Sequence, residues 1–161
     1  MKRLVIRHGL SEANNRENYG TPAFGNSEAP LMPKGRDQAT LLGANLETTY
    51  GVDLFYEPVA VSMMRRSQET AIVAGFRKLS LYPALNEEKS GMSDDETRVA
   101  LETKNPPDAT RIAARLLIEH PPEEMVWVTH ALLIATLCQE LDVYVGDRYT
   151  PKFCEIRELD I

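Results

Sequence analysis

Arg7, His8 and Gly9 stand at the end of the apolar run Leu4-Val5-Ile6, and these three residue types suit an attack on phosphorus. A neutral imidazole is a nucleophile near neutral pH. A guanidinium is a planar fork that matches phosphate oxygens. A glycine lets backbone approach a ligand closely, and a helix beginning just after it would aim free N–H groups at an anion. By itself such a tripeptide recurs by chance, so its meaning depends on what the rest of the chain supplies.

The same kinds of group return after each later apolar run. Ser11 and Asn14 follow the first, Ser62-Met63-Met64-Arg65-Arg66 the second, Leu85-Asn86-Glu87 the third and Thr129-His130 the fourth. In an open parallel sheet, ligands bind beyond the carboxyl ends of the strands. Two imidazoles, two or more guanidinium groups and one carboxylate are therefore expected to converge on one edge. A metal centre built from His8, His130 and Glu87 is the natural rival, because these are ligand types. Arginines beside them would repel a cation, so no metal and no cofactor is expected.

The elements that must position these groups follow from periodicity. Runs at 2–7, 57–62, 79–82 and 125–129 have the composition of strands, and 153–159 alternates like an edge strand. Helical spacing covers 35–50, where Ala39, Leu42 and Leu46 form a stripe that Gly51 ends, then 64–76, 109–120 and 131–141. The third of these stops before Pro121-Pro122, and the last is apolar nearly all round, as a buried helix is. Strands alternating with helices predict an α/β fold, a three-layer α/β/α sandwich around a mostly parallel sheet. Segments 15–30 and 89–108 are expected to be irregular.

The 161 residues fit one domain, 1–161. A hydrophobic share of 43% with 26% charged residues is ordinary for a globular protein, and no apolar run reaches a membrane span of about 20 residues. Met1-Lys2-Arg3 begins no signal-peptide core, and two cysteines make no disulfide framework, so a cytoplasmic protein is expected. The net charge of −6 argues against a nucleic-acid partner and means that an anionic substrate is held by a local cation cluster. The expected partner is a small phosphorylated substrate, with no nucleic acid and no membrane; the oligomeric state leaves no motif.

The ordered motifs resemble those of the histidine phosphatase superfamily, also called phosphoglycerate mutase-like. Its opening RHG-x-[ST]-x-x-N is matched by Arg7, His8, Gly9, Ser11 and Asn14. Its P-L-T-x-x-G-x-x-Q-A is matched by Pro30, Leu31, Gly35, Gln38 and Ala39, with Met32 replacing threonine. Its S-x-L-x-R-A-x-x-T-A aligns with Ser62, Met64, Arg66, Thr70 and Ala71, with Ser67 replacing alanine. Leu85, Glu87 and Gly91 meet L-x-E-x-x-x-G, and His130 stands for the late histidine. The resemblance implies a phosphohistidine intermediate on His8, phosphoryl oxygens held by Arg7, Arg66 and His130, and Glu87 as proton donor and then activator of water. Asn14, Ser11, Gly9 and Ala131 are the implied substrate-binding positions, with Ala131 replacing a frequent glycine.

Neighbouring residues get plainer readings. The motif spacing selects Arg66, which leaves Arg65 solvated, and Glu88 reads as surface. Ser11 reads first as a helix N-cap. Tyr19 and Phe24 are candidates for the entrance, the Met63-Met64 pair and Trp127 read as core, and His120 as an exposed helix end. The segment after Gly91 is short, which implies a reduced lid. Cations beside His8 favour its neutral form but pull the Glu87 pKa down, so burial or substrate charge must oppose them; an optimum on the acidic side of neutral is expected. The compact chain favours a cofactor-independent, acid-type phosphatase over a mutase. A phosphohistidine protein phosphatase and a non-catalytic phosphate-binding module are the remaining alternatives.

Overall fold

The computed structural model describes residues 1–87 and 94–161. Among these, five strands form one sheet: β1 (Lys2–Arg7), β2 (Pro58–Val61), β3 (Lys78–Leu81), β4 (Val126–Thr129) and β5 (Ile156–Asp160), in the order β3-β2-β4-β1-β5. The β1–β4, β2–β4 and β2–β3 pairs are parallel, and β5 runs antiparallel on the edge beside β1. The helices are α1 (Pro33–Tyr50), α2 (Arg65–Ala74), α3 (Asp94–Thr103), α4 (Asp108–Glu119) and α5 (Ala131–Glu140). This is the expected α/β architecture.

The pleat sends alternate strand residues into two cores. Leu4, Ile6, Val59, Val61, Val126 and Val128 face one side and bury Leu42 and Leu46 of α1 and Ala71 of α2. Val5, Ala60 and Trp127 face the other and bury Leu117 of α4 and Leu133 and Leu137 of α5. A sheet covered on both faces accounts for strands that are apolar along their whole length. From Ala131 to Cys138 every α5 residue is buried, as the all-round apolar sequence requires.

α1 starts with Pro33 at its first position and ends on Gly51, whose φ of +66° is the left-handed conformation of a C-cap. Gly43, inside α1, has the carbonyl of Ala74 in α2 where a side chain would be, so the two helices touch backbone to backbone.

Several expectations are corrected. No helix follows Gly9: the chain forms a loop, a single 3-10 turn at Arg16–Asn18, and reaches α1 only at Pro33. Ser11 therefore caps nothing, and instead forms an isolated bridge with Leu31. Segment 89–108 is not irregular throughout, because α3 occupies Asp94–Thr103 and α4 begins at Asp108. Phe153 lies outside β5, which starts at Ile156. Met63 is exposed, where core packing was expected. Glu88, Gly91, Met92 and Ser93 lie outside the described residues.

Candidate active site

Beyond the carboxyl edge of the sheet lies a cleft of about 390 Å³. Arg7, His8, Asn14, Arg66, Glu87 and Ala131 line it, brought there from the ends of β1, β2 and β4 and the turn after β3. Its outer wall is made by Thr97, Arg98, Leu101 and Glu102 of α3, with Phe24 and Arg16 from the long loop and Phe153 from the turn before β5. Within the segment expected to be a reduced lid, α3 thus supplies part of the cleft wall. Tyr19 packs edge-to-face on Phe24 at 5.4 Å, and its hydroxyl donates to the Asp95 carboxylate of α3 at 3.2 Å.

The His8 ring is 1% exposed, and its Nδ1 lies 2.7 Å from the Gly9 carbonyl oxygen. A carbonyl only accepts, so the proton sits on Nδ1 and the lone pair on Nε2. Burial, then the charges of Arg66 and Arg7, hold the His8 pKa well below the ordinary 6.5. The ring is thereby kept neutral at physiological pH, the state in which an imidazole is able to act as a nucleophile.

The loop bearing His8 is held by motif residues that do not line the cleft. Thr70 Oγ1 accepts the Gly9 N–H at 2.9 Å while donating to the Arg66 carbonyl at 2.7 Å. Gln38 Oε1 accepts the Leu10 N–H at 3.0 Å. The loop also lies on the first turn of α1 so closely that a Cβ on Gly35 would stand 2.0 Å from the Leu10 carbonyl oxygen, and one on Gly9 would stand 2.8 Å from the Gly35 oxygen. Gly9 spends its N–H on Thr70 and its carbonyl on His8, and its lack of a side chain lets the loop lie against Gly35. Ser11, fully buried, donates to Asn14 Oδ1 at 2.6 Å and leaves Asn14 on the cleft wall.

His130 is fully buried behind His8, with ring centroids 5.1 Å apart in an edge-to-face pair. Ser62 Oγ lies 2.8 Å from both His130 Nε2 and Ser67 Oγ, and His130 Nδ1 makes no hydrogen bond among the described residues. Burial, Arg66, His8 and Arg7, in that order, push its pKa well below 6.5. Ser62 and Ser67 were legible only as motif positions; the contact of Ser62 with His130 and that of Ser67 with Ser62 join the end of β2 and α2 to the end of β4.

Glu87 reaches the N-terminus of α5, where Oε1 accepts the N–H of Leu132 at 2.5 Å and of Leu133 at 3.3 Å. Both amides therefore serve the same carboxylate oxygen. Burial raises the Glu87 pKa against the downward pull of Arg66, Arg7 and the two amides. That is the environment of a carboxyl able to hold a proton. Arg66 is 4% exposed on the first turn of α2. Arg65 turns outward and pairs with Glu69 at 2.6 Å, as neighbours on a helix diverge by about 100°.

The chain's similarities accord with this arrangement. Residues 4–117 match the family model of the histidine phosphatase superfamily (branch 1). No curated protein matches the chain. Among solved structures, TTHB049 from Thermus thermophilus superposes with a TM-score of 0.65 at 21% identity, covering 99% of this chain and 94% of that one. A mutant phosphoserine phosphatase from Entamoeba histolytica, in complex with phosphoserine, gives 0.62 at 18% identity over 98% and 89% of the two chains. The protein histidine phosphatase SixA complexed with tungstate gives 0.57 at 20% identity over 100% and 88%. These likenesses show a shared fold, and the family-model match, which runs from β1 into α4, shows that this chain belongs to the histidine phosphatase superfamily.

Proposed function

We propose that the protein hydrolyses small phosphomonoesters through a phosphohistidine on His8, without a cofactor. His8 Nε2 attacks phosphorus, a P–N bond forms, and the bond to the ester oxygen breaks. Glu87 gives the leaving oxygen a proton from Oε2. Water then attacks the same phosphorus, Glu87 takes a proton from it, the P–N bond breaks and inorganic phosphate leaves. The proton removed from Glu87 in the first step returns in the second, so the cycle balances. Arg7 and Arg66 offset the charge that develops on the phosphoryl oxygens, and His130, a neutral imidazole, acts as a hydrogen-bond donor, with Asn14 and the backbone at Ala131 as further contacts.

The observation carrying this reading is the Nδ1 contact of His8 with the Gly9 carbonyl, at 2.7 Å, in a cleft that also contains Arg7, Arg66 and Glu87. It leaves the other nitrogen without a hydrogen bond among the described residues, in a cleft shared with two guanidinium groups and a carboxyl. The walled cleft of about 390 Å³ is within the usual range for small ligands, which favours a free ester over a phosphorylated protein.

The test is hydrolysis of 4-nitrophenyl phosphate with no added metal, by wild type and His8→Ala. Turnover in the wild type, reduced about a thousandfold or more in the variant, with an acid-labile phosphoenzyme trapped only in the wild type, supports the reading. Phosphate binding without wild-type turnover would indicate a binding module. Faster phosphoryl return to 3-phosphoglycerate than to water would indicate a mutase, and loss of activity on chelation would overturn the metal-free mechanism.

A further inference from the structure

Arg7 and His8 share a neighbour that belongs to none of the motifs. Phe153 lines the cleft from the turn before β5, beyond the residues of the family match. The Arg7 guanidinium carbon stands 3.9 Å from the centroid of its ring, and the His8 ring is 6.1 Å from it. The turn is fastened to the end of β1 from both sides. Cys154 N–H donates to the Arg7 carbonyl at 2.9 Å, and Arg7 Nη1 donates to the Pro151 carbonyl at 2.8 Å. Cys154 takes a left-handed φ of +59°, which bends the chain between Phe153 and β5.

An arginine side chain has several rotatable bonds, and its value as a phosphate ligand depends on where the plane of its fork lies. One hydrogen bond to Pro151 leaves rotation about that contact. A ring stacked on the guanidinium face removes it, and an aromatic face stabilises a poorly solvated cation. Burial has lowered the Arg7 pKa to about 10, so the guanidinium has little water to hold it in place.

We infer that Phe153 is a positioning residue for phosphoryl transfer: its ring fixes the plane of the Arg7 guanidinium beside His8. The inference rests on the proposed function for the role of Arg7, but the contact itself concerns how tightly phosphate is gripped. Leucine at this position keeps apolar bulk and removes the aromatic face; tyrosine keeps the face.

The experiment is a double-mutant cycle between Phe153→Leu and Arg7→Lys, read first as the Kd for inorganic phosphate by calorimetry and then as kcat/KM for 4-nitrophenyl phosphate. Phe153→Leu is expected to weaken phosphate binding about 2- to 30-fold, the range a cation–π contact supplies. Arg7→Lys should then cost less by the same factor in the Phe153→Leu background, and Phe153→Tyr should stay within about twofold of wild type. Thermal melts set a working temperature at which every variant is folded. Additive effects of the two substitutions, or a Phe153→Leu variant that binds phosphate as wild type does, would overturn the inference. A wild type that binds phosphate but never turns over would refute the proposed function, while the cycle in Kd would still decide the role of Phe153.

Discussion

Gly35→Ala should disable the site from outside it. Its new methyl would stand 2.0 Å from the Leu10 carbonyl oxygen, whereas real Cβ contacts essentially never fall below 3.0 Å. The loop or the first turn of α1 must therefore move by about 1 Å. The obstructing atom is backbone two residues beyond His8, so no side-chain rotation relieves it. A misplacement of that size at a reacting group costs about a hundredfold in rate. Gly43→Ala is the internal control: it meets the Ala74 carbonyl oxygen at the same 2.0 Å from the same helix, but at the far end of α2 from Arg66. Both substitutions overpack a tight contact at a cost of about 1–3 kcal/mol, partly offset by a helix-propensity gain of up to about 1 kcal/mol. Each kcal/mol lost lowers Tm by about 2–4 °C in a chain of this length. The expected result, from melts and from 4-nitrophenyl phosphate kinetics taken below both transitions, is that both variants lose Tm while only Gly35→Ala loses about a hundredfold in kcat/KM. If Gly35→Ala keeps kcat/KM within threefold, or Gly43→Ala falls equally far, backbone contact with α1 does not set the position of His8.

Two further outcomes concern protons. Burial raises the Glu87 pKa and lowers that of His8, so both shifts favour the protonated carboxyl and the neutral imidazole that the proposed roles need. The kcat/KM profile of the wild type should fall on the alkaline side; Glu87→Gln should lose that limb and lose about 10²- to 10⁴-fold on alkyl phosphates, with a smaller loss of phosphoenzyme formation from aryl phosphates, whose leaving group needs no proton. An alkaline limb retained in Glu87→Gln would assign it elsewhere. Folding stability should respond in the opposite sense to the imidazoles. His8 and His130 are both depressed in the folded state, so the unfolded chain binds more protons below pH 6.5, and stability present above that value is lost as pH falls. Each imidazole contributes a slope of at most about 1.4 kcal/mol per pH unit, between pH 6.5 and its folded pKa. Glu87, raised above 4.5, acts oppositely as pH climbs past that value, so the comparison is made between chains that share it. Urea denaturation at pH 6.5 to 5 in phosphate-free buffer should show a shallower loss for His8→Ala than for wild type; identical slopes would mean that His8 is not buried neutral.

The motif residues were legible because each chemical requirement is local in sequence. Arg66 rather than Arg65 follows from the spacing of the family motif after Ser62, helical geometry adding only that neighbours diverge, and the structure has Arg65 on Glu69 with Arg66 buried. The sheet was legible for a similar reason: strands covered on both faces are apolar throughout. α3 was missed because its apolar residues, Val99-Ala100-Leu101, are adjacent within an otherwise polar, acidic run; that it lines the cleft was decided by tertiary packing. The expected helix after Gly9 was wrong because the glycine answers to Gly35 across the fold, a requirement that no reading of nearby residues contains.

The types and order of Arg7, His8, Arg66, Glu87 and His130 were determined by sequence alone, since strand ends in a parallel sheet must meet at one edge. Which imidazole nitrogen is bare, which way the Glu87 carboxyl shifts and what lies against the face of Arg7 were decided only in three dimensions. They depend on a carbonyl at 2.7 Å, on burial and on a ring 146 positions further along the chain (153 less 7), and such contacts are set by packing between distant segments.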